Sequence, residues 1–367
     1  MLKHHMQEDG SMGMDSRFLT IFESARDANK HVISMGLTGR HNIRDLRHRY
    51  LQMKPRLKSP ISVYHNFWGL PLLADLDPSE RRLGFLHTNT ADMRDCLKAQ
   101  KGLLDGVICV STAQLLLLSE CLPELEADRI CRPPLPIRPL APPTLATPMQ
   151  NRPVTIGYSG RLIKDLKRID RLPEVAKLLE KARVPYRFEL LGNGPDRAWI
   201  TREFADNPKV LVHGEKAGAD YWRILSRWDF ILFVSDTEGT PLALLEAMSC
   251  GVLPLYPRIG SGGDEFVQKV SDRLLFDRLN LSQVVSIIEK FRSKPHPELL
   301  QLRTACQELL SANLGNGYLV SFKKFITQIM TMPRISSSTG HPRSFFLTDF
   351  IPFGLVRRFF PKAVYVR

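Results

Sequence analysis

The sequence is poor in cysteine and has no Cys-x-x-Cys pair. Its six cysteines (Cys96, Cys109, Cys121, Cys131, Cys250 and Cys306) are scattered over 367 residues. That distribution argues against a disulfide framework and a zinc site, and it suits a reducing compartment. No stretch approaches the ~18 consecutive apolar residues that a bilayer span requires. The first ten residues, M-L-K-H-H-M-Q-E-D-G, hold no apolar signal core. The expectation from these absences is a cytoplasmic protein. No nucleic-acid-binding motif is present, so no nucleic-acid partner is expected.

Hydrophobic residues make up 43% of the chain and charged residues 24%, the balance of a soluble globular protein. A chain of 367 residues is too long for one compact core and fits two domains of ordinary size. The net charge is +13, and the last 37 residues carry six basic and one acidic side chain. Such a tail favours an anionic surface. Its segment F-F-L-T-D-F-I-P-F-G-L-V-R-R-F-F-P-K-A-V-Y-V-R interleaves aromatics with Arg and Lys. It can seat in lipid headgroups at the inner membrane face as a peripheral contact, or dock on the first domain.

The rest of the chain alternates short apolar runs with helical periodicity. Residues 1–16 read as unstructured. Strands are expected at 18–22, 31–37, 61–64, 82–87 and 106–111, with helices at 44–54, 91–103 and 112–125. The alternation implies βαβ units and a parallel sheet. Residues 132–150, R-P-P-L-P-I-R-P-L-A-P-P-T-L-A-T-P-M-Q, are too rich in proline for helix or central strand. They read as a semi-rigid linker or a loop wrapped on the first domain. The pattern then restarts, with strands at 154–159, 187–191, 210–212, 230–234 and 252–256. Helices are expected at 168–183, 219–228, 265–270, 281–292, 298–310 and 318–330. The expected division is 1–150, 151–330 and a tail 331–367, the first two being α/β domains.

The most informative stretch is S-D-T-E-G-T-P-L-A-L-L-E-A-M-S-C-G, residues 235–251. It follows a buried strand with a loop and a helix opened at Pro241 and closed by Gly251. A helix N-terminus at the carboxyl edge of a parallel sheet favours an anion. Glu238 and Glu246, with seven residues between them, can offer acceptors to hydroxyls beside it. Spacing alone leaves a second reading, a solvated loop residue and a residue on the helix's wet face. Arg161 and Lys167 follow the domain's first strand and can clamp a diphosphate, Arg by its fork and Lys as a point charge. A solvated basic loop reads as well by composition. Gly192 and Gly194 mark a tight turn, and His87 and His65 stand at strand ends.

The run E-G-T-P-L-A-L-L-E-A-M-S-C-G-V-L-P-L resembles the signature of retaining GT-B glycosyltransferases of family 4. That resemblance implies two Rossmann-like doubly wound parallel-sheet domains facing an interdomain cleft. It implies a retaining transferase that moves a sugar from a nucleoside diphosphate to a polysaccharide or glycolipid acceptor. In its terms Glu238 binds the transferred sugar and Glu246 the ribose diol. Arg161 and Lys167 hold the phosphates and neutralise the leaving nucleotide. Gly239, Thr240, Pro241 and Leu242 belong to the donor site, where amides around Thr240 and Leu242 approach the β-phosphate and Pro241 has none to donate. Gly192 and Gly194 form the G-x-G-P turn, and the His213–Gly214 backbone meets the nucleobase. His87 contacts the sugar or lends its carbonyl to the developing positive charge, with His65 a lesser candidate. Gly262 and Gly263 resemble a late glycine turn, where a plain turn reads equally well. Front-face attack with the leaving phosphate as base is implied, and no metal or other cofactor is expected. The glycine-rich loop with which the family's first domain opens has no counterpart here. Two alternatives follow: a nucleotide-sugar-binding partner protein without transfer, and an epimerase acting on the nucleotide sugar.

Overall fold

The computed structural model describes residues 42–57, 61–66, 70–77, 79–89, 93–137, 148–310, 313, 317–335 and 350, and the backbone of four short strands before residue 42. Those strands form two antiparallel hairpins, Lys3–Met6 with Met12–Asp15 and Thr20–Arg26 with Val32–Gly36. Residues 1–16 are therefore not wholly without structure. The strand expected at 31–37 is present but pairs antiparallel. Residues 27–31 are too few for the parallel crossover of about a dozen residues, so a hairpin results.

Two parallel sheets follow. The first has the order Ile61–His65, Arg81–Phe85, Gly106–Ile108 and Ile130–Cys131. The second has the order Val210–Gly214, Tyr186–Leu191, Val154–Ser159, Phe230–Leu232, Leu253–Pro257 and Leu275–Phe276. Counted within that domain this is 3-2-1-4-5-6, the doubly wound order. Helices cover the faces, so the central strands are apolar throughout, and Phe230, Ile231 and Leu232 have no exposed surface.

Several helices differ from expectation. The helix expected at 91–103 is only Met93–Lys98. The one expected at 168–183 is split into Lys164–Lys167 and Arg171–Lys181 by Arg168, which adopts a left-handed φ of 50°. Gly262 and Gly263 are not a turn but the first residues of helix Gly262–Val270, capped reciprocally by Ser261 and Asp264.

Asp229 anchors the base of the second sheet. It is 1% exposed and accepts from Arg152 at 2.6 and 2.7 Å, Arg303 at 2.8 Å and the Thr155 N–H at 2.9 Å. The described ends of the proline-rich segment bind the same domain: Ile137 and Met149 enter its core.

Helix Gly317–Thr331 crosses back. Its Phe325 and Ile329 are buried against Leu83, Phe85 and Ile108 of the first sheet and Val110 just beyond it. Arg81 and Arg129 donate to the carbonyls of Met332 and Pro333 beyond it. The tail after 335 lies outside the described residues apart from 350.

Candidate functional site

The carboxyl ends of both sheets meet through the loop after strand Phe230–Leu232. Gly239 and Thr88 form an isolated antiparallel bridge. A Cβ at Gly239 would lie 1.8 Å from the His87 carbonyl oxygen, so only glycine allows this approach. The Thr240 hydroxyl donates to the Val110 carbonyl at 2.6 Å, and the Gly262 N–H donates to the Gly239 carbonyl at 2.8 Å. Farther out, Glu265 accepts from the Thr112 N–H at 2.5 Å, the Thr112 hydroxyl at 2.8 Å and Arg132 at 2.6 Å. Glu265 thus fixes the start of helix Thr112–Cys121 to the opposite domain.

Helix Leu242–Ser249 begins at this loop. Pro241 is its N-cap, with φ −65° and ψ 125°, rather than its first helical residue. The first-turn amides, including those of Leu242 and Ala243, have no intrahelical acceptor. At the far end Gly251, at φ 72°, donates to Met248, and Val252 donates to Ala247. This double bond pattern is a Schellman closure.

The structure brings Lys167 and Glu238 together. The Lys167 ammonium is 2.6 Å from a Glu238 carboxylate oxygen, which also accepts from Ser235 at 2.7 Å. Glu238 is 5% exposed, so it is no solvated loop residue. The loop is held from below by Asp236, which receives Arg168 at 2.6 Å and Arg171 at 2.7 Å. Burial acts to raise the Asp236 carboxyl, but hydrogen bonds from Arg168 and Arg171 outweigh it and leave the group below its usual range. Arg161 lies just past the end of strand Val154–Ser159, and its carbonyl accepts from Tyr158 at 2.9 Å. Burial pushes the Tyr158 phenol far up, the nearby Glu238 charge adds to this, and Arg161 opposes it. One buried phenol thus feels both predicted ligands.

Glu246 accepts from the Tyr221 hydroxyl at 2.6 Å. Tyr221 in turn lies 3.2 Å from the Ser159 hydroxyl. Neither Tyr221 nor Ser159 was marked by sequence. Their only signal is position, Ser159 one residue before the Gly160-Arg161 pair and Tyr221 in the helix after His213-Gly214.

Gly192 and Gly194 form the expected turn. A Cβ at Gly192 would sit 1.9 Å from the Gly160 carbonyl oxygen, so this turn packs directly on the Arg161 loop. The strand expected at 210–212 runs on through His213 to Gly214, and the His213 ring approaches buried Glu189 at 3.3 Å. Gly214, at φ 76°, closes that strand.

His87 lies two residues beyond strand Arg81–Phe85. Its Nε2 and the Nδ1 of His65 share a 2.6 Å hydrogen bond, and its N–H donates to Asn66 at 2.8 Å. The rings of His65, Phe85 and His87 stack nearly parallel. The His87 carbonyl thus faces Gly239 of the opposite domain, while its Nε2 bonds to His65.

Residues 153–292 match the family model of glycosyl transferases group 1. No curated protein matches the chain. Among solved structures, a mutant of Staphylococcus aureus TarM in complex with fondaparinux, alpha-GlcNAc-glycerol and UDP is similar at 18% identity and a TM-score of 0.56, over 68% of this chain and 51% of its own. The pneumococcal O-GlcNAc transferase GtfA in complex with UDP and GlcNAc gives 14% and 0.62, over 89% and 66%. The apo lipopolysaccharide outer core galactosyltransferase WaaB gives 15% and 0.55, over 78% of each chain. The chain spans about half the length of the first of these. The architecture is the GT-B fold.

Proposed function

We propose that this chain is a glycosyltransferase that moves a sugar from a nucleoside diphosphate to a glycan or glycolipid acceptor with retention of configuration. The observation that carries the reading is the convergence at one sheet edge of Lys167, buried Glu238 and an open helix N-terminus. Lys167 and Arg161 neutralise the diphosphate, and the first-turn amides of helix Leu242–Ser249 add fixed dipoles where charge grows. Glu238 accepts sugar hydroxyls, and Glu246 accepts those of the ribose. The bond from the anomeric carbon to the phosphate oxygen breaks while the acceptor oxygen attacks the same face. The acceptor's proton passes to the leaving phosphate. The His87 carbonyl, turned toward Gly239, offers a partial negative charge to the oxocarbenium-like centre.

The UDP present in the TarM and GtfA complexes supports a uridine nucleotide as the first donor to test. The basic balance of residues 331–367 supports an acceptor met at an anionic membrane face. The test is calorimetric binding of nucleoside diphosphates and their sugars to the wild type and to Glu246→Ala, followed by NMR of the product's anomeric proton. Binding weakened in the variant, with a retained anomer, supports the proposal. No binding of any nucleotide, or an inverted product, overturns it in whole or in part.

A further inference from the structure

Tyr221 lies on helix Gly218–Leu225, between the first strand of the second domain and helix Leu242–Ser249. Its hydroxyl is 2.6 Å from Glu246 and 3.2 Å from the Ser159 hydroxyl. The direction of this chain is fixed by chemistry. An ionised carboxylate has no proton to give, so the phenol donates to Glu246. The phenol's single proton is then spent, so Ser159 donates to the phenolic oxygen. Burial pushes the Tyr221 phenol well above its usual value, and the Glu246 charge pushes it further, so the proton stays on oxygen.

Glutamate has three rotors, and its carboxylate plane turns easily unless something holds it. A vicinal diol is read by a carboxylate of set orientation, because two hydroxyls must meet it together. We propose that Tyr221 is a positioning residue for the nucleotide site: it locks the Glu246 carboxylate in the orientation that reads a ribose diol. Ser159 ties that lock to the strand end that carries Gly160 and Arg161, so the ribose ligand and the phosphate loop share one frame. This rests on the reading of Glu246 as the ribose ligand. It makes the site specific for ribonucleotides through a residue that touches no substrate.

A purely structural Tyr221 would serve as well without its hydroxyl. The ring packs edge-on against Trp222 at 5.2 Å, and Phe keeps that contact. The test is therefore Tyr221→Phe, with binding of uridine, guanosine and adenosine diphosphates and their 2′-deoxy counterparts measured by calorimetry. In the wild type the preferred ribonucleotide binds more tightly than its deoxy form. In Tyr221→Phe the ribonucleotide weakens by about five- to twenty-fold while the deoxynucleotide is nearly unchanged, so discrimination collapses. Glu246→Gln loses the same discrimination, and adding Tyr221→Phe to it changes little further. With a turnover assay, KM for the donor rises while kcat holds. Equal weakening of both nucleotides, or none, in Tyr221→Phe overturns the positioning role while leaving the donor site standing. If the wild type binds no nucleoside diphosphate, or ignores the 2′-hydroxyl, the reading of Glu246 fails first.

Discussion

Lys167 and Glu238 pair at 2.6 Å, although on the proposed reading they would bind adjoining parts of a nucleotide sugar, its diphosphate and its sugar. If Lys167 takes the diphosphate as proposed, binding competes with this pair, and loss of the pair leaves Glu238 available to the sugar. Glu238→Gln is expected to bind a bare nucleoside diphosphate about two- to five-fold more tightly, since Lys167 is 28% exposed and the pair is only partly desolvated. The same variant is expected to lose transfer by roughly 100-fold or more. Calorimetry with the diphosphate, beside a turnover assay, checks both. Weaker diphosphate binding would refute the exchange.

Gly239→Ala puts a methyl group against the His87 carbonyl across the domain junction. Backbone cannot yield as a side-chain tip can, so the domains must part. The expected result is a transferase slowed by roughly 100-fold and a larger radius of gyration by X-ray scattering. Unfolding of each domain should change little.

Asp229→Ala leaves Arg303, whose side chain is 5% exposed, with its charge uncompensated inside the second domain. Breaking a buried pair in this way costs about 3–5 kcal/mol. Urea denaturation should show that loss. Burial already pushes the Arg303 guanidinium down, against the pull of Asp229, so removing Asp229 moves it further.

The lowered Asp236 carboxyl predicts a pH dependence. Its contribution to stability is complete above about pH 4, the ordinary aspartate value. It is lost as pH falls through the lower folded-state value. Asp170, where burial is likewise outweighed by the hydrogen bond and charge of Arg168, acts in the same direction. The melting temperature of Asp236→Asn should therefore lie below that of the wild type at pH 7, and the gap should close as pH falls below the ordinary aspartate range and through the lower folded-state value. A gap independent of pH would show that Asp236 acts by shape and not by charge.

Much of the second domain was legible because its signals are local. Apolar runs bounded by turns mark the strands, and Glu238, Thr240 and Glu246 follow from one contiguous stretch. The side-chain partners were not legible. Ser159, Tyr221 and Glu246 come from three elements and meet only in the folded sheet. The ring partner of His213, expected just past its strand, could not be read because Glu189 lies one strand away. The split at Arg168 was hidden because nothing in R-I-D-R breaks helical periodicity, while Arg168 gains Asp170 and Asp236 by leaving it. The first amino-terminal hairpin and the antiparallel pairing of the second were missed for a different reason: short strands with weak alternation give no parity to read.

The helix Gly317–Thr331 gives the first domain a lesson in order. Leu83, Phe85, Ile108 and Val110 emerge early from the ribosome, and the Phe325 and Ile329 that cover them emerge late. The first sheet must wait through synthesis of the whole second domain before that face is closed. The second domain keeps a near-complete core of its own. The later-made half is thus the one able to finish first, and a ribosome that stops at residue 310 releases a first domain without the helix that places Phe325 and Ile329 on that face.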